Sequence, residues 1–413
     1  MKVGGDPRRR LRRMATALVA LTLLPVAMMV GTTHAPAARV SEWATSFDGT
    51  ILRTQDVDMP SVEAMQRGRA SNLFAPFEWD GQVVSGPFVQ FGYDAETGTV
   101  LEYLAVNGSQ RSTVIDSIRI EGFAPNAPPL ISGATFAVAS NYAMIIAHDE
   151  PMALLEIRTL GRPQNVSLRF PDATTGLQVS QATSWPTSSL SFTDGKDSGR
   201  VIVGRGTLQV NDTTVTASLT ADDYLAVRAV PEFLEHAAER TAILDAFASG
   251  HLAAEFDLVA VSNGGWMENS AQYRAGLQMV DSSVQFGRVA LSLGTPDPEG
   301  GLVLLAFDPQ TMPADSLHRL VVRTNGTDIP ETSDPLASLF ALPGSSDRAE
   351  YVRVAMNATV VAVYVPDLSS LSLQVESLAV PPKGIDRPTQ MAIVVAMFVV
   401  GAAAAIMFRR RST

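Results

Sequence analysis

The sequence predicts a mainly β protein: an antiparallel β-sandwich-type ectodomain in two modules, with one intervening helix and a C-terminal transmembrane helix. Three observations carry this expectation. Short runs of alternating polar and apolar residues, separated by turn residues, fill most of residues 40–380. A single stretch, Pro231 to Ser249, has helical periodicity, and Met391 to Phe408 is apolar throughout.

At the N-terminus, Arg8, Arg9, Arg10, Arg12 and Arg13 precede an apolar run from Met14 to Gly31. Basic residues ahead of an apolar core mark a secretory signal or a signal anchor. Met14 to Val30 is 17 residues, between the about 7–15 of a signal core and the about 20 of a spanning helix. Small residues around Thr33, Ala35 and Ala37 suit a signal peptidase, so residues 1–35 read as a signal peptide or signal anchor, with cleavage expected.

Residues 40–230 form the expected first β module. Phe88–Tyr93, Thr99–Val106 and Thr113–Glu121 alternate and are joined by turns at Asp94–Gly98 and Asn107–Gly108. Thr207–Val210, a turn at Asn211–Asp212, Thr214–Leu219 and Tyr224–Val230 repeat the pattern as an antiparallel meander. A period of two puts one face toward a core and the other toward water. Ala134–Ala139, Ala143–Ala147 and Met152–Ile157 are apolar at every position, the mark of central strands covered on both faces. Ala124–Pro129, with three prolines, reads as an extended break between sub-structures.

The helix is expected over 231–250. Pro231 suits a first helical turn, Phe233, Leu234, Ala237, Thr241, Leu244 and Phe247 lie on one stripe, and Gly250 closes it. A second β module follows over 255–380, with strands expected at Tyr273–Met279, Val284–Leu293, Leu302–Phe307, Tyr351–Met356, Thr359–Val365 and Ser370–Val375. The ectodomain then holds on the order of 18–20 strands spaced by about 8–14 residues, as in sandwiches and barrels. A β-solenoid is the alternative.

Residues 381–390 read as a proline-rich juxtamembrane linker. Met391–Phe408 is an uncharged run of 18 residues, followed by Arg409, Arg410 and Arg411 in a five-residue tail, 409–413. That length just spans the hydrocarbon core, and the arginines place the tail in the cytoplasm. The basic N-terminal flank agrees. The localisation expected is the cell membrane, single-pass after signal cleavage, with everything between the two ends outside.

Charge supports this division. Residues 1–34 carry six basic side chains and one acidic, residues 391–413 carry three basic, and residues 35–390 carry 22 basic against 41 acidic. A net charge of −19 between the ends argues against a nucleic-acid partner. Without a single cysteine there is no disulfide, thiolate metal site or thiol nucleophile. Five of ten asparagines stand in Asn-x-Ser/Thr: Asn107, Asn165, Asn211, Asn325 and Asn357. These are candidate N-glycosylation sites on an exported domain, although Asn-Gly and Asn-Asp also make good hairpin turns.

No P-loop, G-x-S-x-G elbow, H-E-x-x-H or complete EF-hand loop occurs. Catalytic, cofactor-binding and metal-ligating residues are therefore all expected to be none. Glu232 and His236 have metal-like spacing but read as a solvated helix face. His148-Asp149-Glu150, ahead of Pro151, reads as a polar hairpin tip. The acidic turns Asp194–Gly199 and Asp297–Gly301 lack the alternating oxygens of a calcium loop. The expected function is a membrane-anchored surface protein with a structural, adhesive or ligand-binding role and a protein or glycan partner outside the cell. The alternatives are an extracytoplasmic hydrolase working with carboxylates alone and an accessory subunit of a membrane complex.

Overall fold

A computed structural model describes residues 62–380, except Asn263, Ala275, Asp297, Pro298 and residues 333–347. The expected leader 1–35, linker 381–390, anchor Met391–Phe408 and tail 409–413 lie outside the described residues. Among the described residues no helix is long and apolar enough to cross a membrane.

The chain is mainly β, with 26 strands in four sheets and two helices among the described residues. Sheet A has eight strands. Its meander runs Glu78–Trp79, Val83–Ser85, Val89–Asp94, Thr99–Asn107 and Gln110–Ile120, and is continued by Gln164–Arg169, Thr214–Leu219 and Thr207–Asn211. Sheet B has eight, with Tyr224–Val230, Leu155–Thr159 and Ala143–His148 at its centre. Sheets C and D have five each, drawn from residues 252 to 379. Pairing is antiparallel except between Leu252–Ala260 and Gly301–Phe307, which run parallel in sheet C.

Side-chain alternation decides how the sheets stack. On Tyr224–Val230, Leu225, Val227 and Ala229 enter the core shared with sheet A, whereas Tyr224, Ala226 and Val230 enter a second core. Between sheets A and B, Phe91 meets Phe136 edge-on at 5.2 Å. On Gly301–Phe307, Val303, Leu305 and Phe307 point into the core against sheet D, and Leu302, Leu304 and Ala306 into the second core. That second core therefore joins the backs of sheets B and C, with the two helices at its margin. Apolar-throughout strands result because both of their faces are covered. Leu371, Leu373 and Val375 are buried against sheet C as their alternation with Ser372, Gln374 and Glu376 requires.

Several elements differ from the sequence expectation. The helix spans Ala237–Ala248 rather than 231–250, because His236 takes a left-handed φ of 60° and Pro231 to Leu234 form a turn instead. Gly250 does close it, at φ 74°. A second helix, Val62–Ala70, was not anticipated; it buries Ala64 and Gly68 on a mostly polar segment. Tyr224–Val230 leaves the meander of Thr214–Leu219 and crosses to sheet B. Of the expected strand Tyr273–Met279, only Gln278 and Met279 are in a strand, Gln278–Gln285, and Asp281–Ser283, expected as the turn ahead of Val284–Leu293, lies within that same strand. The turn falls instead at Phe286–Gly287, where Gly287 supplies φ 74°. Ala124–Pro129 carries the chain from sheet A to sheet B.

Candidate functional site

Charged residues interrupt strands that are otherwise apolar, and alternation aims them all into the seam between sheets B and C. Glu156 and Arg158 flank Ile157, Arg228 lies between Val227 and Ala229, and Glu255 and Asp257 flank Phe256. Asn269 joins them from the neighbouring strand Trp266–Gln272. His148, Asp149 and Glu150 complete the group from the end of Ala143–His148. The three residues expected at an exposed hairpin tip are instead buried. Asp149 Oδ1 accepts the amides of Phe88 and Val89 at 2.9 and 2.8 Å, tying this loop to sheet A.

Arg228 is the centre of the network and is 1% exposed. Its Nη1 donates to Glu255 Oε2 at 2.6 Å, and its Nη2 to Glu150 Oε1 at 2.8 Å and Glu255 Oε1 at 3.3 Å. Tyr273 adds a hydroxyl to Glu255 Oε2 at 3.2 Å. Asn269 Nδ2 donates to Glu150 Oε2 at 3.0 Å and to Asp257 Oδ2 at 3.4 Å. Two carboxylate acceptors fix the Asn269 amide orientation, so its Oδ1 must accept from His148 Nδ1, 2.7 Å away. The other ring nitrogen faces Glu156 Oε1 at 3.5 Å, and Glu156 is also held by Arg158 at 2.7 Å.

These contacts decide the protonation states. Burial opposes the charged form of His148, but the Glu156 carboxylate and then Glu150 outweigh it and raise its pKa. Burial also opposes ionisation of Glu156, yet Arg158 and His148 bring its pKa down to about 2. Asp257 has no cation of its own. Burial, followed by the nearby Glu255 and Glu150, drives its pKa well above the carboxylate range.

A narrow cleft, with room of about 50 Å³, leads to this cluster. Glu150, Arg228, Glu255 and Asp257 line its depth, Arg240 and His236 one wall, and Met152, Leu304 and Val360 apolar surface. Glu150, Glu255 and Asp257 each offer an oxygen within 4.8 Å of the others, a donor set suited to a hard cation or a shared proton. Arg228 already occupies Glu150 and Glu255.

The other residues singled out in the sequence are dispersed. Glu232 pairs with Lys196 at 3.3 Å and lies outside the helix, apart from any metal-like set with His236. Asp194 Oδ1 caps its own hairpin turn through the amides of Lys196 and Asp197. Asp297 of the second acidic turn lies outside the described residues. Asn107, Asn165, Asn211, Asn325 and Asn357 are all exposed. Asn165 is held on both sides: it pairs with Ser218, its carbonyl accepts the Glu121 amide at 2.9 Å, and its side-chain amide donates to the Glu121 carboxylate at 3.0 Å. Trp185 stacks near Tyr224 at 5.0 Å, and Trp79 and Trp266 pack against the sandwich cores. The signal that could have exposed the cluster was charge inside an otherwise apolar run: Arg228 in YLAVRAV, and Glu255 and Asp257 in LAAEFDLVA.

The sequence matches no protein-family model and no curated protein.

Proposed function

We propose that the chain is an extracytoplasmic β protein anchored in the membrane by Met391–Phe408, with a structural, adhesive or ligand-binding role. One observation carries the non-catalytic part of this reading. Among the described residues, the buried charges at the seam are spent on one another, with Arg228 of one sandwich bonded to Glu255 of the other. Such a lock ties the two sandwiches together, which suits load-bearing or presentation of an outer surface. The carboxylates of Glu150 and Glu255 are both taken by the Arg228 guanidinium, at 2.8 and 2.6 Å. Anchorage rests on the apolar run and its arginine stop. The five exposed sequons fit a domain that meets the glycosylation machinery during export.

Protease shaving of intact cells tests the topology. The expected result is loss of the ectodomain with a small protected C-terminal fragment. An ectodomain that survives while surface controls are digested overturns the reading.

A further inference from the structure

Nine large apolar side chains stand exposed among the described residues, and four of them gather at one end of the second sandwich. These are Phe286, Leu317, Leu378 and Val380, with Leu317 at 62% and Phe286 at 50% exposure. Their proximity follows from the backbone. The Val380 amide donates to the Leu317 carbonyl at 2.6 Å, and the Ser377 amide to the Gly287 carbonyl at 2.8 Å. Leu378 and Val380 project from the same side of the last strand, one period apart. Phe286 lies under the Arg67 guanidinium at 5.5 Å. Val280 is exposed at the opposite end of the same sheet, beside Gly294.

The rim suits an interface between water and lipid. Arg319 is exposed there, as is Arg288, which pairs with Glu376 at 3.3 Å. Glu376 also bonds Arg323 at 2.6 Å, and Asp315 Oδ1 lies 2.7 Å from His318 Nδ1. Apolar tips beside arginine side chains are what a headgroup layer accepts.

The sequence supplies the occupant. Val380 is the last described residue, and the apolar run starts at Met391. The intervening ten residues, 381–390, reach at most about 35 Å. The end of the sandwich that carries Val380 is thus tethered close to any bilayer that Met391–Phe408 enters, and it is this end that exposes the apolar side chains.

We infer that this end, through Leu317, Phe286, Leu378 and Val380, docks on the lipid surface and sets the ectodomain upright on the membrane. The inference rests on the anchored reading above. The absence of cysteine allows single-site labelling of the full-length chain with no background. Leu317→Cys, Phe286→Cys and Val280→Cys, each carrying a nitroxide, are incorporated into phosphatidylcholine–phosphatidylglycerol vesicles. Flotation of the same samples reads anchorage, and collision with oxygen against an aqueous nickel chelate reads docking. The expected oxygen-to-nickel ratio is several-fold higher at 317 and 286 than at 280. Chain that floats with nickel-accessible labels at all three sites overturns docking and leaves anchorage standing. Labels at 317 and 286 shielded from both probes mean that protein, such as a second copy, covers the patch, and the lipid assignment falls. Chain that fails to float overturns anchorage and docking together.

Discussion

Arg228 Nη1 lies 2.6 Å from Glu255 Oε2, and the bond joins the back of one β-sandwich to the back of the other. Glu150 takes the same guanidinium at 2.8 Å from the first sandwich's own side. Removing the cation leaves two buried carboxylates facing each other, which costs about 3–5 kcal/mol. Arg228→Met is expected to lower the urea midpoint accordingly. The triple variant Glu150→Gln, Arg228→Met, Glu255→Gln should recover much of that loss, since no unpaired charge remains. A single variant within about 1 kcal/mol of the parent contradicts a buried lock.

His148 and Glu156 give opposite pH dependences. The raised pKa of His148 means that its stabilisation is complete below the ordinary histidine value and is lost as pH rises through the folded pKa. Glu156, brought down to about 2, contributes above the ordinary glutamate range and loses that contribution as pH falls toward 2. Proton NMR should show a histidine resonance titrating above the free imidazole range that is absent in His148→Gln. A buried histidine that titrates below that range contradicts the assigned Glu156 contact.

Glu268 lies in the strand Trp266–Gln272, and burial alone raises its pKa to about 7. A raised carboxylate pKa leaves stability untouched below about 4.5 and erodes it between about 4.5 and 7. At about 1.4 kcal/mol per unit the full cost reaches about 3 kcal/mol above pH 7. Glu268→Gln should therefore be more stable than the parent at pH 8 and equal to it near pH 4. Parallel stability curves for the two proteins would count against a half-buried neutral acid.

Gly250 ends the helix Ala237–Ala248 at φ 74°, and a β-carbon there would stand 2.3 Å from Pro186 Cδ and 2.5 Å from the Trp185 carbonyl oxygen. The left-handed angle alone costs a side chain about 1 kcal/mol, and the collision with backbone adds to it. Gly250→Ala is expected to lose more than about 2 kcal/mol by thermal or urea unfolding. A loss below about 0.5 kcal/mol would mean that the loop relaxes freely.

Glycan occupancy should follow the backbone around each sequon. In a host with an oligosaccharyltransferase, Asn107, Asn211, Asn325 and Asn357 lie at strand ends or turns and are expected to carry glycans. Asn165, paired with Ser218 on one side, accepting the Glu121 amide on the other, and bonded through its side chain to both residues, is expected to be the least occupied. Mass spectrometry of glycosidase-treated peptides reads each site, and a chain free of glycan at all five in such a host removes the assignment.

Local pattern carried most of the strand reading. Thr99–Val106, Thr214–Leu219, Thr359–Val365 and Ser370–Val375 were legible because period-two alternation and turn residues are properties of neighbouring positions. The helix Val62–Ala70 was not, since its polar surface hides a stripe of only two buried residues. The turn at Phe286–Gly287 was missed because the more polar Asp281–Ser283 lies inside a strand, beside a register shift at Met279–Asp281.

By itself, then, the sequence determined a β-rich chain, because burial on one face or two writes itself into the spacing of apolar residues along a strand. It also determined the charge division between basic ends and an acidic middle. Only the tertiary structure decided which sheet each strand joins, and that Glu150, Arg228, Glu255, Asp257 and Asn269 meet. Those five come from positions 150 to 269 and are brought together by the stacking of sheet B on sheet C. A charge in an apolar run announces that it needs a partner, since burying it alone is too costly. Which partner it finds depends on contacts across the seam, and no local pattern records them.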